Sequence, residues 1–452
     1  MRQSHETGGP RPAVLRTWLY ALLLAPLAFA LHACGEETPT DVGGSLLPAD
    51  ALRTIEVILE PAAFYDIDTT FTGFAETRSA GFQIVAHEFG GVFESNTLAR
   101  FTVPTRVSTL DSTGASVTDT MPALLGGRVV IAVDTSTSDV TLPVTIGLYR
   151  IEEEWDPVSA DWNNRIDTAG VTLAWSQPGG RGGTFVDSVV WSMANVDTAG
   201  NPVDSLVIDV DSQTIALWSD ATMRARGGLI AMETSGARVR IADILLRVDV
   251  RPSVKPDTLL TVTVRPDTPR FIHDPQVQRQ ANEFLVGGIP EWRTYLRWRS
   301  GLDTVSLPCP QISAGCVIRL ADANINYAAL ILTLTEPPPG FLPQDTSRII
   351  TAPVLASTLT PLERSPLAPD VGVGIESLAA DRFRNPVGDE TEVPVTSFLR
   401  RLLADTTFDG APVSPWMALL PILSGIDIGV AAFEPAPRLR LILTVARELQ
   451  LR

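Results

Sequence analysis

The chain has 452 residues, a formal net charge of −17, 45% hydrophobic residues and 19% charged ones. That charge argues against a nucleic-acid binder, whose phosphate-facing surface must be basic, and against a body that lies flat on an anionic bilayer. The hydrophobic content excludes a disordered stalk, and the length leaves room for two or three packed domains.

At the start, Arg11 and Arg16 precede an apolar run from Trp18 to Ala30, which leads into Leu31-His32-Ala33-Cys34. A basic start, an apolar core and small residues before a cut describe a secretion signal. The four residues resemble a lipoprotein signal-peptidase site, which implies that Cys34 becomes a diacylated N-terminus and that residues 1–33 are removed. Arg2, Arg11, Arg16 and Glu6 would leave together, taking the net charge from −17 to about −19. The alternatives are a plain secreted protein and a retained transmembrane anchor; against the anchor, Pro26 interrupts the run and a span needs ~20 apolar residues. Buried acyl chains contribute ~0.8 kcal/mol per CH2, so more than one chain makes a stable anchor. Gly35 resembles an outer-membrane sorting signal, and the expected location is the outer membrane, facing the periplasm or the surface. Residues 34–50 then form the lipidated cysteine and a polar, Gly- and Pro-bearing tether. Its Gly43-Gly44-Ser45-Leu46-Leu47-Pro48 part also resembles the start of some outer-membrane lipoproteins.

From residue 51 the pattern changes to short β-branched runs separated by Gly, Pro, Asp, Ser and Thr. Arg53–Leu59, Ala99–Val103, Arg128–Val133, Val144–Tyr149, Arg238–Ile241 and Ile244–Val250 read as strands of an antiparallel sandwich. One helical stretch, Asp211–Arg226, carries its own cap at Asp211 or Ser212 and a stop at Gly227-Gly228. Residues 251–275, with Pro252, Pro256, Pro266 and Pro269, read as an inter-domain linker. After it the signals repeat. Thr294–Trp298, Tyr327–Leu334, the Thr396–Ala404 helix and Ala436–Val445 echo the earlier strands, helix and closing strand in order. The expectation is an all-β chain of two tandem antiparallel jelly-roll-like β-sandwiches, each with a short helix, over 51–250 and 276–452. The apolar 412–433 stretch is no membrane span, because Pro415, Pro421 and Asp427 break it.

Leu148-Tyr149-Arg150 running to Trp155, then Trp162-Asn163-Asn164, resembles the midsection of DNRLRE-type domains, a jelly-roll group related to carbohydrate-binding modules. Trp218, Gly228-Leu229-Ile230 and a closing strand continue the likeness in the first half, which lacks the Pro-Arg-Leu of the pattern. The second half has Pro437-Arg438-Leu439 but lacks the Trp-Asn-Asn block. The resemblance implies a sandwich fold, and polysaccharide binding in some members.

Trp155 and Trp162 are candidates for a sugar-stacking platform, since flat aromatic faces cover the apolar faces of pyranose rings; packing across the sandwich edge is the alternative. Trp292 and Trp298, with Arg297 among them, are candidates for gripping an acidic polysaccharide. Strand alternation instead places Tyr295 and Arg297 on one face, Leu296 and Trp298 on the other. Glu152-Glu153-Glu154 and the Asp209–Asp211 pair offer carboxylates for a structural calcium, against loop solvation and helix capping. Cys309 and Cys316 read as a local disulfide in an oxidising compartment, against a thiolate metal site with no further ligand nearby.

After signal cleavage only His87 and His273 remain, neither in a metal or triad motif, and no nucleophile elbow or phosphate loop occurs. Paired carboxylates of a glycan-cleaving enzyme leave no motif and stay a remote alternative. The expected function is a non-catalytic, lipid-anchored envelope protein that binds or scaffolds, touching the membrane through its anchor alone. Its partner would be an envelope protein or a polysaccharide, and not nucleic acid.

Overall fold

The computed structural model describes residues 52–446, apart from 76, 78–79, 112, 195–203, 224–225, 268, 277–282, 300–301, 310–311, 356–360, 369–374, 405–413 and 423–426. The signal segment, Cys34 and the tether lie outside the described residues.

Strands dominate, at 52% against 10% helix, and every ladder between them is antiparallel. The first sandwich has eight principal strands. One layer runs Thr184–Trp191, Val144–Arg150, Gly228–Met232, Phe93–Ala99; the other runs Gln83–Phe89, Ala237–Arg251, Ala123–Val133, Ser205–Val210. In chain order these are fifth-fourth-seventh-second and first-eighth-third-sixth, the interleaving of two Greek keys that defines a jelly roll. The second sandwich repeats it. Glu376–Leu378, Ser347–Pro353, Trp416–Pro421 and Trp292–Trp298 make one layer. Phe284–Gly287, Val430–Phe433 continued by Arg438–Ala446, Asn324–Thr333 and Glu390–Pro394 make the other.

Each sandwich carries a helix between its sixth and seventh strands, Ser212–Ser219 in the first and Thr396–Ala404 in the second. Asp211 caps the first, its carboxylate accepting from the Thr214 N–H at 2.8 Å. That helix ends at Ser219, short of the expected Arg226. Asp220 turns its carboxylate onto the N–H and hydroxyl of Thr222, a local bond that competes with further helix.

The expected domain limits are corrected at both ends. Leu52–Leu59 does not open the first sandwich: it pairs along its whole length with Arg438–Ala446, so the first described strand lies against the last. Tyr65–Thr72 pairs with Trp292–Trp298. The stretch read as a linker is also sheet. Leu260–Val264 pairs with Leu246–Val250, and Arg270–Asp274 pairs with the Phe93–Ala99 strand. Its five prolines flank these strands and do not interrupt them, which keeps both ladders whole.

Three apolar layers hold the body together. Val129, Ile131, Leu148, Trp191, Trp218 and Leu246 fill the first sandwich, and Leu296, Trp298, Leu330, Met417 and Leu441 fill the second. A third layer lies between the two. Ile84, Ala86, Phe93 and Phe271 of the first meet Leu285, Ile289, Trp292, Phe341 and Val430 of the second. The strands there are buried on both faces: Ile84 and Ala86 point to the shared layer, and Val85 points inward. Strands of this kind read as unbroken apolar runs, as Gln83–Ala86 and Gly429–Phe433 nearly do.

Candidate ligand cleft between the sandwiches

A cleft of about 390 Å³ opens beside the shared layer, lined by Thr77, Asp161, Trp162, Asn163, Arg270, His273, Asp274 and Gln276, with Ile289 and Pro290 from the second sandwich. A tight turn puts Trp162 there. Asp161 accepts the Asn163 and Asn164 N–H groups at 2.8 and 2.7 Å, a side-chain turn that fixes the chain on either side of the indole. The Trp162 carbonyl accepts the Gly179 N–H at 2.7 Å. Gly179 has φ +73° and lies so close under the ring that a Cβ would fall 2.7 Å from it. Glycine alone meets both conditions. The buried Asn96 amide donates to the Gly179 carbonyl at 2.8 Å, tying the turn to the sheet.

His273 forms the cleft's inner wall. It is fully buried, ringed by Phe93, Phe271 and Phe341 at centroid distances of 5.7, 6.0 and 5.8 Å. Burial pushes its pKa down to about 4, so the imidazole is neutral near pH 7. Its Nδ1 lies 3.1 Å from the Pro275 carbonyl, which can only accept. The proton therefore sits on Nδ1, and Nε2 keeps its lone pair. Beside it, Arg270 donates to the Pro157 carbonyl and the Thr77 hydroxyl, both at 3.0 Å.

Of the residues expected to bind ligand, only Trp162 lines this cleft. Trp155 is 1% exposed, with the Arg100 guanidinium 4.3 Å above its ring and its indole N–H donated to the Arg226 carbonyl at 2.7 Å. Trp298 is likewise buried, between Phe64 and Phe398 at 5.2 and 5.3 Å. Trp292 sits in the shared layer at 7% exposure. These three are core residues, a correction whose cause is the covering of their faces: Trp155 by Arg100, Ile151, Ala160 and Trp175, Trp298 by Phe64 and the Thr396–Ala404 helix, and Trp292 by the first sandwich. Arg297 is half-exposed but committed, its Nε and Nη2 each 2.8 Å from an oxygen of Asp66. The alternation read from sequence holds: Tyr295 packs on the outer face, Leu296 and Trp298 on the inner.

The carboxylates considered for calcium do not converge. Glu152 accepts from Arg150 and Thr184, Glu153 from Ser176, and Asp211 caps its helix. Among the described residues no three His, Cys, Asp or Glu side chains gather as metal ligands would. Cys309 and Cys316 stand on facing strands but out of register, opposite Ile312 and Leu307 respectively, and not within disulfide distance, so the bridge expected from sequence is not supported. No described helix is long and apolar enough to cross a membrane, and the 412–433 stretch contributes the Trp416–Pro421 and Val430–Phe433 strands.

Sequence reasoning missed Arg270, His273 and Gln276 because the first two lie in, and the third just after, the proline-rich stretch that reads as a linker. A cue was present in Arg270-Phe271-Ile272, an apolar pair behind a charged residue, but it does not name a partner strand.

No family model matches the chain, and no curated protein does. Two solved chains align over 88% of this chain and 85% of theirs with a TM-score of 0.10. They are the C-terminal domain of the Streptococcus agalactiae AgI/II polypeptide BspA, at 9% identity, and a chain described as BspA_C_mut, at 8%.

Proposed function

We propose that the chain is a non-catalytic, lipid-anchored cell-envelope protein with a binding or scaffolding role, held at the outer membrane through Cys34. The observation that carries the binding role is the cleft, a concave, partly polar opening at the seam of two jelly rolls, where ligand sites commonly lie. Support for a non-catalytic reading comes from the groups that line it. Asp161 spends its oxygens on its own turn, and Arg270 is engaged by a carbonyl and a hydroxyl. His273 is walled by three phenylalanine rings.

A second reading, polysaccharide capture, is favoured by Trp162, an indole beside hydrogen-bonding groups in a cleft of about 390 Å³. The DNRLRE-like motif at Trp162-Asn163-Asn164 points the same way.

The anchor is tested by labelling cells with a radioactive fatty acid. The protein should take up label and fractionate with the outer membrane, and Cys34→Ser should abolish both. Unlabelled protein in the soluble fraction would reject this localisation.

A further inference from the structure

The two sandwiches have exchanged a pair of strands. Each core takes a two-strand arm, whose first strand pairs with the core's eighth strand and whose second pairs with its second. The arm of the first sandwich, 260–274, follows it in the chain. The arm of the second, 52–72, comes from the opposite end, ahead of the first sandwich. Their spacers match in length, 60–64 and 265–269.

The strands that receive the arms also match. Gly90-Gly91 through Arg100-Phe101 aligns without a gap on Gly287-Gly288 through Arg297-Trp298, keeping Glu94 with Glu291 and Thr97 with Thr294. Thr97 donates to the Ile84 carbonyl and Thr294 to the Leu285 carbonyl, both at 3.0 Å and both buried. The second sandwich is thus completed by a segment that belongs to it in space but not in sequence.

The arm is held by much more than chain continuity. Two ladders flank it, and Val57, Phe64 and Tyr65 are buried in the second core. The Tyr65 hydroxyl donates to the Pro435 carbonyl at 2.8 Å, and Asp66 meets Arg297. Beyond the arm, the link to the first sandwich passes through Gly81, exposed and with no atom within 4 Å of where a Cβ would stand.

We infer that the 52–72 arm is a plug, a strand pair docked in the second sandwich as a ligand would be, so that the lipid anchor carried on it holds the body without needing an unbroken chain. The inference rests on Cys34 being the anchor. The body would then hang from the membrane by its C-terminal sandwich, and a cut between arm and body would not set it free.

The test inserts a site-specific protease sequence between Ala80 and Gly81 of the full lipidated chain, reconstituted in vesicles. After complete cleavage the body should still sediment with the vesicles. Cleavage of the same protein carrying Phe64→Ala and Arg297→Ala should release it, while the uncut double variant stays bound. Release of the body on cleavage of the otherwise unaltered chain would overturn the inference. If the uncut chain does not bind vesicles, the anchor reading fails alone. Gel filtration of the cleaved soluble chain then decides the rest: co-elution of arm and body supports the plug, and separation overturns it.

Discussion

Arg297 and Asp66 form a two-pronged ion pair, with Nε–Oδ1 and Nη2–Oδ2 distances of 2.8 Å, that joins the second strand of one sandwich to an arm preceding the other. The Arg297 hydrogen bonds hold the Asp66 carboxyl below the usual carboxylate range. A carboxylate whose pKa is lowered by folding adds stability above its unfolded value, and that part is lost as pH falls through the folded value. Asp66→Asn should therefore lower the melting temperature slightly at pH 7 and leave it unchanged near pH 2. An equal loss at both pH values would assign the effect to packing.

Phe64 should matter far more than Asp66. It is fully buried and packs on Tyr65 and Trp298 at ring distances of 5.3 and 5.2 Å. Truncation to alanine removes a large core side chain and leaves a cavity, at a cost of about 3–5 kcal/mol. Denaturant unfolding followed by tryptophan fluorescence measures this directly. A loss under about 1 kcal/mol would mean that the arm is not part of the second core.

Arg238 is 1% exposed at the seam of the sandwiches, paired with Asp139 at 2.8 Å, donating to the Gly340 carbonyl at 3.1 Å and lying over the Phe89 ring. Removing one partner of such a pair strands a charge away from water, whereas replacing both by apolar groups is often neutral. Asp139→Ala should cost about 3 kcal/mol, and Asp139→Ala with Arg238→Met should recover most of it. The double-mutant cycle fails this account if the two losses simply add.

His273 makes the acid side of the stability curve. Its folded pKa of about 4 lies below the ordinary 6.5, so the unfolded chain binds the proton more readily. Stability from this group is complete above pH 6.5 and falls as pH drops toward 4, by up to about 3 kcal/mol. Urea midpoints measured between pH 7 and 4 should slope down in the natural chain and flatten in His273→Phe. Parallel slopes would remove His273 as the cause.

The hairpin register sets Cys316 four residues away from the position opposite Cys309, beyond the reach of a disulfide, so the bridge expected from sequence is not supported. Peptide mapping of non-reduced protein should recover two free, alkylatable thiols. A fragment linking the two would overturn this register.

The strands at 128–133, 144–149 and 238–250 were legible because β-branched alternation is a local signal, and so was the helix that Asp211 caps. The repeat order was legible too, since the second half revisits the same signals and the strand orders coincide. What was not legible is pairing at a distance. Arg53–Leu59 announces a strand, but nothing in it says that its ladder runs to Leu439–Val445 and not to its neighbours. The same gap misplaced the site. Trp155, Trp292 and Trp298 carry the composition of a binding platform, and only the covering loops, arm, helix and first sandwich reveal them as core. Trp162 shares that composition and differs solely in where its turn leaves it.

The most direct measurement is a glycan-array screen of residues 51–452, with Trp162→Ala as its companion. Binding to one glycan class, lost in Trp162→Ala while the melting temperature holds, is the result expected if the cleft captures polysaccharide. Binding that survives the substitution would contradict the cleft as the site. A blank array would reject polysaccharide capture and leave an envelope protein as the partner to seek.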